Sequence, residues 1–125
     1  MPATPAAAFR EAFATRDFSA VTGLLAEDVV FRSPVLHEHW RTRPVVEHLG
    51  PAMVSVFDAV EFGPVATQGR RELLPFTGRL GDVEVEGIQL IDTREDGLVS
   101  DLAIFLRPLT GVQAVAEAMA AALGR

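Results

Sequence analysis

The sequence contains no cysteine, no tyrosine and no lysine. Without lysine it cannot form a Schiff base or supply a phosphate-loop lysine, and without tyrosine it has no phenol to act as an acid or oxyanion donor. The first residues lack a basic region followed by a long apolar run, so they do not resemble a secretory signal. Together with the absence of cysteine, this predicts a cytoplasmic location.

Long hydrophobic runs are also missing. LAIFL, from Leu102 to Leu106, is far shorter than the roughly 18 residues needed to span a membrane. The net charge of −6 and the scattered arginines argue against nucleic acid as a partner. What remains is a folded chain of 125 residues with 49% hydrophobic residues, which predicts a single domain over residues 1–125.

Helical spacing of apolar residues predicts a first helix that begins at Thr4 and Pro5 and ends near Thr15. Asp17 is typical of a cap for a short second helix. The β-branched pattern from Asp28 onwards then predicts a strand.

A third helix is predicted over residues 42–57, and Pro51 should kink or split it because proline lacks an N–H and clashes with the preceding turn. Thr110 and Gln113 form a capping pattern that predicts the start of a last helix.

Turn signals at Gly81 and Gly97 divide residues 70–108 into three antiparallel strands. The order of elements predicts an α+β fold, in which a curved antiparallel sheet wraps around the N-terminal helices and leaves an internal pocket.

Two stretches resemble the SnoaL-like branch of the nuclear transport factor two-like superfamily: RDFSAVTGLLAEDVVFRSPV (16–35) and DGLVSDLAIFLRPL (96–109). With the kinked helix between them, the resemblance extends from about Phe9 to Leu123. It implies a cone-shaped α+β barrel that holds a ligand and dimerises through its outer sheet face. The superfamily includes enzymes and non-enzymatic binding domains, so the fold alone does not give the function.

The resemblance also allows known activities to be compared position by position. The ketosteroid isomerase pattern would place its carboxylate base at Ser33 and its second acid at about Gln89, and its tyrosine has no counterpart. An epoxide hydrolase would need an Asp-Arg-Asp set, of which only Asp101 is found. Neither activity is therefore expected.

Asp101 has two possible orientations on the last strand. Alternation alone places it on the solvent side. The register implied by the resemblance instead turns Asp101 and Phe105 into the cavity, where burial would raise the pKa of the carboxyl and suit it to acid–base chemistry.

The stretch VVFRSPVLHEHW, residues 29–40, supplies further candidates. His37 and His39 could hold one metal ion only with a third ligand, which the spacing does not supply, so no metal is expected. We expect His37 and His39 to contact a ligand and Trp40 to form an apolar wall at the cavity mouth.

Two functional hypotheses follow. The first is a cofactor-independent acid–base enzyme acting on an apolar, oxygen-bearing substrate, with Asp101 and His37 catalytic and with Ser33 and Gln89 orienting the ligand. The second is a non-catalytic binding or dimerisation module with the same cavity.

A homodimer is predicted because the outer strand face would otherwise leave an apolar patch in water. The residues assigned to that face are Ile88, Leu90, Leu102, Ile104 and Leu106.

Overall fold

A computed structural model of the protein describes residues 4–36 and 39–124. Its helices are α1 (Pro5–Thr15), α2 (Ser19–Thr22), α3 (Arg43–Ser55) and α4 (Leu109–Ala122). Its strands are β1 (Leu25–Arg32), β2 (His39–Arg41), β3 (Ala59–Phe62), β4 (Ala66–Gln68), β5 (Arg71–Leu80), β6 (Val83–Thr93) and β7 (Val99–Arg107). Within the described ranges, no helix has the length and apolar character needed to cross a membrane.

The strands form one curved sheet in the order β2-β1-β7-β6-β5-β3, with β4 paired to β5. The predicted α+β class and the three-stranded meander of β5, β6 and β7 are confirmed. The sheet is mixed where a purely antiparallel one was predicted, because β1 pairs with β7 in parallel. It stays open between β2 and β3. A parallel pair needs a long crossover, which the chain supplies between residues 32 and 99.

The turns of the meander lie where glycine predicts them. Gly81 and Gly97 have φ values of 58° and 84°, in the left-handed region that glycine enters without steric cost. The Asp96 carboxylate accepts the N–H of Leu98 at 2.9 Å, which closes the second turn.

Helix α1 begins and ends as predicted. The Thr4 hydroxyl accepts the N–H of Ala7 at 3.2 Å, and Pro5 occupies the first turn. The Glu72 carboxylate, buried on β5, accepts the N–H of Ala6 at 3.1 Å. A negative charge at a helix N-terminus is favourable, so this bond also fastens α1 to the sheet.

The second helix ends at Thr22, and β1 starts at Leu25 instead of Asp28. Leu25 and Ala26 are fully buried in the sheet, so the strand begins before the β-branched residues that predicted it. Asp17 accepts the N–H of Ser19 at 3.0 Å, which forms a turn before the four residues of α2.

The last helix also starts differently from the prediction. It begins at Leu109 with Pro108 as its N-cap and has no side-chain capping bond, so Thr110 and Gln113 do not open it. Helix α3 runs through Pro51 as one helix, so the proline does not split it.

The core lies between the helices and the inner face of the sheet. The fully buried side chains there include Phe9, Leu25, Leu74, Ile91 and Leu102. Each such side chain contributes about 1.5–3 kcal/mol of hydrophobic free energy relative to its exposed state. The inner face therefore fixes the curvature of the sheet around α1 and α3.

Gly50, just before Pro51, allows the closest packing between a helix and a side chain. A Cβ atom at Gly50 would lie 2.1 Å from Cδ2 of Phe18, whose ring makes an edge-to-face contact with Phe9 at 6.2 Å between centroids. The missing side chain thus lets the Phe18 ring lie directly on the α3 backbone.

We expect Gly50→Ala to lower the free energy of unfolding by about 2 kcal/mol, because overpacking a filled core forces rings and backbone apart. The measurement is urea unfolding followed by circular dichroism.

Gly23→Ala is the matched control. Gly23 has φ −68°, and a Cβ atom there meets nothing within 4 Å, so this change should be neutral or stabilise by up to about 1 kcal/mol. Equal losses in the two variants would contradict the packing described for Phe18.

Candidate functional site

A cavity of about 180 Å³ lies under the inner face of the sheet. The strand β7 contributes Ile104 and Leu106 to its wall. The helices contribute Leu49 and Met53 from α3, and Val115 and Met119 from α4. The segment 33–36 forms another part of the wall, so the cavity is bounded on each side by apolar groups.

Three polar side chains interrupt this apolar wall: Ser33, Trp40 and Gln89. Among the described residues that line the cavity, none ionises. The cavity as described therefore offers hydrogen bonds to an occupant and no charge.

Gln89 is the most buried of these groups. It is 1% exposed, in the middle of β6, and its neighbours across the sheet are Leu74 on β5 and Ile104 on β7. Its Oε1 atom is buried and has no hydrogen-bond partner. An unsatisfied buried acceptor costs about 1–3 kcal/mol, so this amide lowers the stability of the ligand-free fold.

Ser33 follows directly after β1 and is half-buried. Its Oγ accepts the N–H of Val35 at 3.1 Å, which holds the turn at Pro34 against the cavity wall. A serine hydroxyl carries one donor besides its acceptor positions, so Ser33 can still donate to an occupant.

Trp40 lies on the short strand β2, opposite Phe31 of β1, and both residues line the cavity. The sequence-predicted residues Ser33, Trp40 and Gln89 are thus brought together around one space. Their roles in binding stay predictions.

Asp101 lies on the outer face of the sheet, and its predicted place in the cavity is wrong. Its carboxylate is 36% exposed and pairs with Arg32 at 3.1 Å. The reason is the alternation of β7 itself: Leu102 is fully buried on the inner face, so its neighbour Asp101 points outward. A bulge comes just before, since Thr93 pairs with Val99 but Asp92 pairs with Asp101, and this extra residue on β7 lets Val99 also face inward.

The same register reverses the predicted faces of the rest of β7. Phe105 is 58% exposed on the outer face, where it pairs with Ile88, so it does not line the cavity. Leu102, Ile104 and Leu106 face inward, so their predicted place in a dimer interface is wrong too. The sequence does contain a signal for these wall residues: apolar side chains alternate along the strand at Leu102, Ile104 and Leu106.

The histidine candidates divide into two cases. His37 lies outside the described residues. His39 is exposed on β2, opposite Arg32, and is not among the residues that line the cavity. Its contact with a ligand stays a prediction. In the ranges 4–36 and 39–124, no three His, Asp or Glu side chains come together in a way that could hold a metal ion.

Perturbed carboxyl pKa values occur at turns, away from the cavity. The N–H of Ser19 holds the pKa of Asp17 below its ordinary value, and the N–H of Leu98 does the same for Asp96. Because folding lowers these pKa values, both carboxylates stabilise the fold above their unfolded pKa. That contribution is lost as the pH falls through the folded values.

Solved structures share this architecture. A steroid delta-isomerase from Pseudomonas aeruginosa is 33% identical and has a TM-score of 0.89, over 99% of this chain and 94% of that one. An uncharacterised protein with a cystatin-like fold from Silicibacter pomeroyi is 30% identical and has a TM-score of 0.88, over 94% of this chain and 84% of that one. A putative ketosteroid isomerase from Kribbella flavida, 22% identical with a TM-score of 0.66 over 83% of this chain and 78% of that one, shares the fold.

No protein-family model and no curated protein matches the sequence. The structural relatives nevertheless identify the class: the chain belongs to the nuclear transport factor two-like superfamily, as the SnoaL-like resemblance implied.

The unpartnered Gln89 amide gives a direct test of the cavity. We expect Gln89→Leu to raise the free energy of unfolding of the ligand-free protein by about 1 kcal/mol, because leucine removes a buried acceptor without changing the size of the side chain much. The measurement is chemical unfolding.

Gln113→Leu, at an exposed position of α4, is the control and should change stability by less than about 0.5 kcal/mol. A loss of stability in Gln89→Leu would mean that the amide has a protein partner after all.

Proposed function

We propose that the protein binds a small, neutral and largely apolar molecule in the cavity below its sheet. The observation that carries this proposal is the Gln89 amide, which is 1% exposed and has an Oε1 atom without a partner in an apolar wall. A purely structural core would be more stable with an apolar residue there. An amide facing a cavity is what a binding site needs to orient a ligand.

The size of the cavity limits the ligand. An engineered cavity of roughly 150 Å³ holds benzene, and this cavity measures about 180 Å³. We therefore infer an occupant with one ring or a short branched chain. A four-ring steroid is several times larger than benzene, so the name of the Pseudomonas relative does not supply the ligand of this chain.

The charge of the wall limits the ligand as well. A charged molecule would lose its hydration in the cavity without gaining a counter-charge from the described wall residues, which costs several kcal/mol. A neutral ligand avoids this cost.

Isomerase-type acid–base chemistry is the second candidate function, and the 33% identity to a protein named as an isomerase favours it. It would need an ionisable group beside the ligand. Asp101 is paired with Arg32 on the other face of the sheet, so the remaining candidate from the sequence is His37. Incubating the protein with its co-purified ligand separates the two functions: a binding protein returns the ligand unchanged, and an enzyme converts it.

The test of the binding proposal is to fill the cavity. Ala116 of α4 lines it, and a phenyl ring is about as large as the occupant we infer. We expect Ala116→Phe to fold, to keep or increase its thermal stability, and to lose at least about tenfold in affinity for cyclohexane measured by NMR titration.

Ala121→Phe is the matched control, because Ala121 is exposed on the same helix and does not line the cavity. It should bind cyclohexane like the unaltered protein. Equal affinities in Ala116→Phe and the unaltered protein would refute binding in this cavity.

We further propose that two copies of the chain pair through the outer face of the sheet. Leu73, Ile88 and Phe105 are 38%, 42% and 58% exposed there, on three adjacent strands. Clustered apolar side chains of this kind are unfavourable in water and typical of an interface.

The charges beside this patch suit a second copy. One flank carries the pairs Arg71–Asp92 and Arg32–Asp101, and the other carries Arg107–Glu86. Since each flank has both signs, a chain of net charge −6 can approach its own copy here without like-charge repulsion.

We expect the unaltered protein to be a dimer at micromolar concentration in light scattering, and Phe105→Glu to be a monomer because it buries a charge in the interface. Leu109→Glu, at a 71% exposed position outside the sheet, should remain dimeric. An unaltered protein that is monomeric would exclude this arrangement.

A further inference from the structure

We propose that the ring of the bound molecule is aromatic, so that the ligand is a neutral compound built on a single benzene-sized ring. This inference rests on the proposed binding function and adds the chemical class of the ligand.

Aromatic side chains are concentrated at the cavity. The chain has eight phenylalanines, one tryptophan and no tyrosine. Five of these nine side chains line the cavity: Phe13, Phe31, Trp40, Phe57 and Phe76. Among the eleven largest fully buried side chains of the described residues, by contrast, Phe9 is the one aromatic and nine are aliphatic. The rings therefore lie mainly at the open space and not where packing is complete.

The rings at one end of the cavity contact one another. Phe13, Phe57 and Phe76 form a closed cycle of four rings with Phe62. The pairs Phe57–Phe76 and Phe13–Phe62 are edge-to-face, with centroids 6.4 Å and 5.5 Å apart. This geometry is favourable because the positive edge of one ring meets the negative face of the next. An aromatic occupant can extend the cycle, whereas a saturated ring lacks this charge distribution.

The other end of the cavity is also aromatic. Phe31 on β1 and Trp40 on β2 are direct neighbours across the two strands. β7 and β6 separate β1 from β5, so the two groups of rings are three strand spacings apart, about 14 Å between backbones. Ile104 and Leu106 of β7 lie between them in the wall. An occupant above these two residues has aromatic side chains on both sides.

Two thioethers complete the wall opposite the sheet. Met53 on α3 and Met119 on α4 both line the cavity. A methionine sulfur makes favourable contacts with aromatic rings. The phenylalanines, the tryptophan and the methionines thus all favour an aromatic ring over a saturated ring of the same size.

The experiment compares phenol with cyclohexanol. Both are neutral and have the same number of carbon and oxygen atoms, and they differ in whether the ring is aromatic. Each is titrated into the unaltered protein and followed by NMR. We expect phenol to bind at least about tenfold more tightly, because each contact between aromatic rings adds free energy beyond that of the buried area.

Variants assign this preference to the wall. Phe13→Leu removes a ring and should lower the ratio of phenol affinity to cyclohexanol affinity at least about threefold. Met119→Leu keeps the size of the side chain but removes the sulfur, and should lower the ratio about twofold. Leu123→Ala is the matched control, because it removes as many carbon atoms as Phe13→Leu from an aliphatic part of the wall. It should leave the ratio unchanged.

The outcomes separate this inference from the function on which it rests. Cyclohexanol binding as tightly as phenol, or more tightly, would overturn the inference but leave a binding cavity, because both probes would still occupy it. A ratio that is unchanged in both Phe13→Leu and Met119→Leu would also overturn it. So would a fall in Leu123→Ala as large as in Phe13→Leu, since the preference would then depend on space and not on rings. If neither compound binds, the proposed function fails together with the inference.

Discussion

The alternation of side chains along the pleated strands determines the chemistry of the cavity wall, because it sets which residues line the cavity and which are exposed to water. On β7 that alternation is interrupted by one extra residue between Val99 and Asp101. The extra residue keeps Val99 in the core. After it the alternation is regular, so Asp101 faces Arg32 on the outer side and Ile104 lines the cavity. The described wall therefore contains hydrogen-bonding groups but no ionisable side chain.

The cavity exists because the sheet curves around helices that cannot fill all of its inner side. Packing is tight at one end, where the Phe18 ring lies on Gly50 and against Phe9. Towards α4 the wall consists of side chains such as Met119 and Ala116, and about 180 Å³ stays open. The filled part of the inner side and the part that contains Gln89 are therefore different regions of one face.

Local signals predicted much of this fold. The Thr4 cap and Pro5 gave the start of α1, and the glycines at 81 and 97 gave the turns of the meander, since each depends on the chemistry of a few adjacent residues. The parallel pairing of β1 with β7, the strand β2 and the bulge depend on contacts between distant segments. For the site, Ser33, Trp40 and Gln89 were predicted in the wall. Asp101 and Phe105 were placed on the wrong face, because the register implied by the resemblance was preferred to the alternation of the strand itself. His39 lies on the short strand β2, whose pairing with β1 depends on contacts that no local pattern shows.

The central claim is that the inner face of the sheet, and not the outer one, takes the ligand. The chain has three isoleucines, which report on three different places: Ile104 in the cavity wall, Ile91 in the filled core and Ile88 on the outer face. In a methyl NMR spectrum recorded during titration with cyclohexanol, the Ile104 signal should shift strongly and the Ile88 signal should stay in place. A shift of Ile88 with Ile104 unchanged would contradict the account.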